Sequence, residues 1–194
     1  CVIKYGTSRM KYLKKHIEII LESGNPECIY GLLETALKSA HVQQCLDIIA
    51  ESGDAEYNYK VVEMFGYKEL NEESTFDYSK NVQSILNSGD AKYNYMLAKL
   101  IQKHIVYVDS LTDIEKQYYS ISESDEKVIF DMCKNNVIES GNAEYNYLFA
   151  KDIKGADINV HAKVVTESRS GKFNYLFGCN VLGADKKKHI YSLF

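Results

Sequence analysis

Apolar residues recur along this chain at relative positions 0, 4, 7 and 8. Leu13, Ile17, Ile20 and Leu21 form one such set, Val42, Leu46, Ile49 and Ala50 a second, and Tyr78, Val82, Ile85 and Leu86 a third. On a helix of 3.6 residues per turn these positions make one apolar stripe. The segments between the stripes differ. Stepping about 100° per residue, Tyr145, Phe149, Ile153, Asn146 and Ala150 share one arc, whereas Tyr147 and Leu148 fall outside it. A helix that is apolar on several sides has several neighbours. The pattern therefore predicts two alternating helix types: an inner helix A, near 143–154 in the cleanest copy, and a one-sided helix B, near 158–168.

A phrase recurs at the start of each helix A. Glu51-Ser52-Gly53-Asp54-Ala55-Glu56-Tyr57-Asn58-Tyr59 is nearly copied at 87–95 and at 139–147, with worn copies at 22–30 and 167–175. Its serines, at 23, 52, 88, 140 and 168, are 29, 36, 52 and 28 residues apart. The base period is thus 28 or 29, and two units carry insertions, near 66–74 and 104–127. Unequal insertions between kept anchors belong at one end of a stacked array. The phrase also punctuates the helices. Gly53, Gly89 and Gly141 suit left-handed closures of one helix, and Asp54, Asp90 and Asn142 suit caps of the next. Pro26 falls at a first helical position, where a missing N–H is harmless. Lys154-Gly155-Ala156-Asp157 and Leu182-Gly183-Ala184-Asp185 repeat this logic between helix A and helix B.

The expected fold is all-α: an α-solenoid of about five antiparallel helix pairs filling residues 1–194 as one repeat domain. Gly6 and Ser8 align with Gly155 and Asp157, so the array is expected to begin and end inside repeats, as part of a longer one. The helix-turn-helix phrase resembles repeats of the tetratricopeptide and Sel1-like kind. Its closer likeness is to tandem repeats of the Ser-Gly-Asn-Ala-Glu-Tyr-Asn-Tyr type in viral and bacterial proteins of undefined role. The period is shorter than the tetratricopeptide one, and its Trp-x-x-Leu-Gly phrase is missing. The resemblance implies an architecture and no activity.

Composition narrows the partners. The net charge is −4 with signs interspersed, and the one compact basic run is Lys186-Lys187-Lys188. Phosphate neutralisation needs clustered Lys and Arg, so nucleic acid ranks low among partners. Five cysteines without C-x-x-C spacing support neither a zinc site nor a disulfide framework, and fit reduced thiols in a cytoplasmic setting. No apolar run reaches the length of a membrane span. The weight of Lys, Asn, Ile and Tyr matches AT-rich viral or bacterial genomes, which would put a viral chain in the host cytoplasm.

Few residues invite chemistry. The five histidines make no H-x-x-x-H or H-E-x-x-H pattern, although His16 and His161 share a frame position in helix B. No G-x-S-x-G, Walker A or G-x-G-x-x-G phrase is present, so the expectation is no enzyme, no catalytic residue, no metal and no cofactor. Asn58, Asn94, Asn146 and Asn174 recur within the apolar arc of helix A. They read either as a buried ladder that sets repeat register or as groove residues that hold a peptide backbone. The paired tyrosines beside them read as core with the hydroxyl at the rim. The 104–127 insertion, with Tyr107, Tyr118, Tyr119, Asp113 and Glu115 and a short helix expected near 112–119, is the candidate partner-binding element. The expected function is a protein-binding scaffold. A structural, self-associating role through the terminal helices stands beside it.

Overall fold

A computed structural model describes residues 13–35, 41–66, 76–109 and 123–191, with side chains omitted at 104–109, 123–126 and 190–191. Every regular element among these residues is an α-helix. They form two compact units, Cys1–Ser88 and Gly89–Phe194. Unit 1 holds α1 (13–22), α2 (Pro26–Thr35), α3 (Val42–Glu51), α4 (Ala55–Gly66) and α5 (Ser79–Ser88). Unit 2 holds α6 (Ala91–Asp109), α7 (Glu123–Glu139), α8 (Ala143–Asp152), α9 (Ile158–Glu167), α10 (Gly171–Asn180) and α11 (Lys186–Tyr191). In unit 1, α2 and α4 are A helices and α3 and α5 their B partners. In unit 2, α6, α8 and α10 are A helices, and α7, α9 and α11 follow as B.

Packing follows chain order within each unit. Each A helix packs on the B helix that follows it: α2 on α3, α4 on α5, α6 on α7, α8 on α9 and α10 on α11. A helices also touch A helices, and B helices touch B helices, as in α2 with α4 and α3 with α5. This is the solenoid-like arrangement the periodicity predicts, and no hairpin hides its apolar side alone. Unit 1's core gathers Ile29, Leu33, Val42, Cys45, Leu46, Ile49 and Val61. One core of unit 2 gathers Tyr147, Ala150, Val165, Phe177 and Val181. At Gly178 the backbones come close: a Cβ there would stand 3.1 Å from that of His189.

The end signals act where the sequence puts them. Gly53, Gly89 and Gly141 are left-handed, with φ of 70°, 64° and 65°. Asp54, Asp90 and Asn142 each accept two N–H bonds from the first turn of the next helix. In the worn copy, Arg169 occupies the left-handed place at φ 55°, the only non-glycine in that region among the described residues.

Three expectations need correction. Leu13 is 61% exposed, and Ile17 and Ile20 are only half-buried. His16 is exposed while His161, at the same frame position, is buried. His161 is covered by the preceding A helix, α8, through Asn146 and Phe149. Finally, much of the 104–127 insertion is not loop. It lengthens α6 to 19 residues and α7 to 17, against 10 in α8 and α9. The helix expected near 112–119 lies outside the described residues.

Candidate functional site

The repeating asparagines form the most specific arrangement in the molecule. Asn58, Asn94, Asn146 and Asn174 are all fully buried. An asparagine offers two N–H donors and a carbonyl acceptor, and a buried amide left unpaired costs about 1–3 kcal/mol. Here the groups are matched. Nδ2 of Asn146 donates to the Val137 carbonyl on the preceding B helix at 2.7 Å and to the Asn142 carbonyl at 2.9 Å. Nδ2 of Asn58 does the same with Ile49 at 2.9 Å and Asp54 at 2.8 Å. Asn174 repeats it with Val165 and Ser170, both at 3.1 Å. The same three B-helix carbonyls accept the turn serines, Ser52, Ser140 and Ser168, at 2.6, 2.7 and 2.6 Å. A carbonyl near a helix C-terminus lacks its intrahelical partner. The serine and the asparagine supply it, and lock α3 to α4, α7 to α8 and α9 to α10.

The amide oxygen points the other way, to the B helix that follows. Oδ1 of Asn58 accepts from Nδ2 of Asn81 at 2.9 Å, and Oδ1 of Asn94 accepts from Nδ2 of Asn136 at 2.9 Å. Oδ1 of Asn146 lies 2.8 Å from Nδ1 of His161, and Oδ1 of Asn174 lies 3.2 Å from Nδ1 of His189. Both imidazoles stack on a phenylalanine of the A helix, Phe149 at 4.9 Å and Phe177 at 4.7 Å. With the amide oxygen as acceptor, Nδ1 carries the proton and Nε2 of His161 is left without a hydrogen-bond partner. Burial pushes His161 down to about 4, and burial lowers His189 too. Cys133 occupies the place on α7 that His161 occupies on α9. It is fully buried, with its thiol pushed up to about 12, and Asn136, one turn on, makes the bond instead.

A third contact ties A helix to A helix in unit 2. The Tyr95 hydroxyl donates to Asp152 at 2.5 Å, and Lys99 reaches the same carboxylate at 3.3 Å. Burial pulls Asp152 upward, but those two bonds outweigh it and hold the carboxyl below its usual range. At the equivalent place in the next pair, Asn180 donates to the Tyr147 hydroxyl at 3.1 Å. Tyr95 packs on Tyr145 and Tyr147 on Phe173, with centroids 6.0 and 6.2 Å apart. Tyr59, Tyr95 and Tyr147 are buried.

The asparagines face inward, so the opposite side of each A helix is the ridge that meets solvent. Counting from the asparagine as zero, positions −2 and +5 lie about 20° apart on that side. They are Glu27 and Glu34 on α2, Glu56 and Glu63 on α4, Lys92 and Lys99 on α6, Glu144 and Lys151 on α8, and Lys172 and Cys179 on α10. All ten are exposed. Position +2, between them, holds Gly31, Lys60, Met96, Leu148 and Leu176. Lys60 rests over the rings of Tyr57 and Tyr30, 4.4 and 5.8 Å away.

Asn58, Asn94, Asn146 and Asn174 are thus brought to equivalent places, while the insertion residues are not placed. Tyr107 lies on helical backbone in α6, and its side chain, like Asp113, Glu115, Tyr118 and Tyr119, lies outside the described residues. Sequence reasoning did not single out Asn81, Asn136 and His189, nor the charges on the ridges. The signal for one of them was present: Asn81, like His161, stands four residues before a carbonyl residue of the serine turn. Among the described residues no group of three or more His, Cys, Asp and Glu could hold a metal, and no helix is long and apolar enough to cross a membrane. Comparisons with protein-family models, curated proteins and solved structures return no match.

Proposed function

We propose that this chain is a non-enzymatic helical-repeat scaffold that binds a protein through the outer ridges of its A helices. One observation carries the reading. The inward position is asparagine in four of the five A helices and Ile29 in the fifth, whereas the ridge reads Glu-Gly-Glu, Glu-Lys-Glu, Lys-Met-Lys, Glu-Leu-Lys and Lys-Leu-Cys. A fixed frame with a variable exposed face is what recognition by stacked repeats requires. The amide nitrogens of Asn58, Asn146 and Asn174 are spent on backbone carbonyls, which suits structure rather than turnover.

Photo-crosslinking tests the reading. A benzophenone side chain at Glu56 or Lys151 is expected to capture protein, and one at Lys163, exposed on α9, is not. Absence of protein adducts from both ridge sites sinks the proposal. A second reading places recognition on the 104–127 insertion, favoured by the lengthened α6 and α7 that carry it. Partners that disappear when 104–127 is deleted, with the ridges intact, would select that reading.

A further inference from the structure

The ridge charges are sorted by unit. In unit 1 the exposed positions −2 and +5 are all acidic: Glu27, Glu34, Glu56 and Glu63. In unit 2 the same positions are basic at Lys92, Lys99, Lys151 and Lys172, with Glu144 the one acidic exception. Lys103, two turns beyond Met96's neighbourhood on α6, extends the basic ridge. Half-buried Met96, Leu148 and Leu176 line the middle of the basic ridges, and Lys60 with its two tyrosines the middle of an acidic one. Both faces come from one repeat phrase, so neighbouring ridges within each unit share the same frame and spacing. The acidic face therefore carries the complement of the basic face at matching intervals.

We infer that the acidic A-helix ridges of unit 1 dock on the basic A-helix ridges of unit 2 of a second copy of this chain. This rests on the proposed protein-binding role of the ridges and names their partner. Charge complementarity favours a second copy over nucleic acid. A nucleic acid would use the lysines and leave the four glutamates, which would repel phosphate, without a purpose. Single exposed ion pairs are weak, so the contact depends on several pairs formed together and on the salt. The affinity is that of a reversible association.

Sedimentation velocity of the full chain over a concentration series, at about 0.05 M and 0.5 M salt, reads this directly. The wild type is expected to associate, and to do so at least tenfold more weakly at the higher salt. Two variants each place on one unit the residue type the other unit has at that position. Glu34→Lys/Glu63→Lys leaves two Lys against Glu27 and Glu56 and so cancels the acidic face, and Lys92→Glu/Lys172→Glu leaves Lys99 and Lys151 against three Glu and so cancels the basic one. Each alone is expected to be monomeric with an unchanged helical circular dichroism spectrum, and an equimolar mixture of the two is expected to associate. The mixture keeps the test sound even if one substitution costs stability. Three results overturn the inference: a wild type that is monomeric throughout, association indifferent to salt and to both variants, or a monomeric wild type that binds oligonucleotide through the lysines. If the wild type is monomeric while ridge crosslinks to a different protein persist, this inference fails and the scaffold reading stands.

Discussion

The α2–α3 pair and the α8–α9 pair solve the same packing problem with opposite chemistry. In α8–α9 the inner position is Asn146, bonded to two carbonyls behind and to His161 in front. In α2–α3 the same position is Ile29, and the B-helix position that answers it is Cys45. Both are buried in one apolar cluster. The α6–α7 pair mixes the two: Asn94 stands opposite Cys133, and Asn136, one turn along α7, supplies the donor that the cysteine lacks. A buried polar atom needs a partner, but not one from a fixed position. The difference teaches that the frame tolerates either solution, and a mixture only where a neighbouring residue takes over the bond.

The sharpest way to break the polar solution is Asn146→Leu. It removes one of two donors from the Val137 and Asn142 carbonyls, which keep the Ser140 hydroxyl and the residue 146 N–H, and it strands the Nδ1–H of His161. With about 1 kcal/mol for each lost bond and about 1–3 kcal/mol for the stranded group, the expected loss is about 4 kcal/mol in urea unfolding. A variant that unfolds like wild type would deny the asparagine any part in holding the frame. Acid should break the same pair without mutation. The folded His161 binds its proton near 4, below the ordinary value of about 6.5. The unfolded chain thus takes up the proton first. Stability is complete above about 6.5 and falls as pH drops towards 4, by roughly 3 kcal/mol in all. The charged groups acting on the ring are Asp157 on its own helix and Lys134 on α7. His161→Asn, which copies the Asn58–Asn81 pair of unit 1, should flatten that part of the pH profile.

The apolar solution breaks by the reverse change. Ile29→Asn buries an amide opposite Cys45 and is expected to cost about 2–3 kcal/mol. Adding Cys45→Asn should recover at least 1 kcal/mol in a double-mutant cycle. Zero coupling would mean that the two positions do not answer one another. The smallest effect concerns the turn. Arg169 holds a left-handed conformation that glycine adopts without strain, so Arg169→Gly should raise stability by about 0.5–1 kcal/mol. Thermal denaturation checks it, and a lower melting temperature would count against it.

Much of this was legible in the chain. Glycine and Asp or Asn at fixed places announced the helix ends, because each carries a specific backbone or capping requirement. The four asparagines were visible as a recurring misfit in an apolar arc. Their partners were not, since these change identity and lie 15, 23 or 42 residues away. Asn136 also lies a turn from the place that Asn81 and His161 occupy, so no fixed offset finds it. Burial of His161 depends on Asn146 and Phe149 in the preceding helix, a property of neighbours that no local stripe encodes. The ridge charges needed an origin for counting, which the buried asparagine provides.

The two kinds of joint in each pair are unequal. From α3 to α4, from α7 to α8 and from α9 to α10 the chain passes through the same short serine turn, whose serine and asparagine meet on one carbonyl. From A to B its length varies, through 67–75, through 110–122, or through Gly155 and Asp157 alone, with α6 and α7 growing to follow. Changes of length gather on one side of each pair and leave the locked side undisturbed. A foreign peptide spliced at Gly155, in the open joint between α8 and α9, would be carried as cargo, while the same splice beside Gly141 would unfasten the pair.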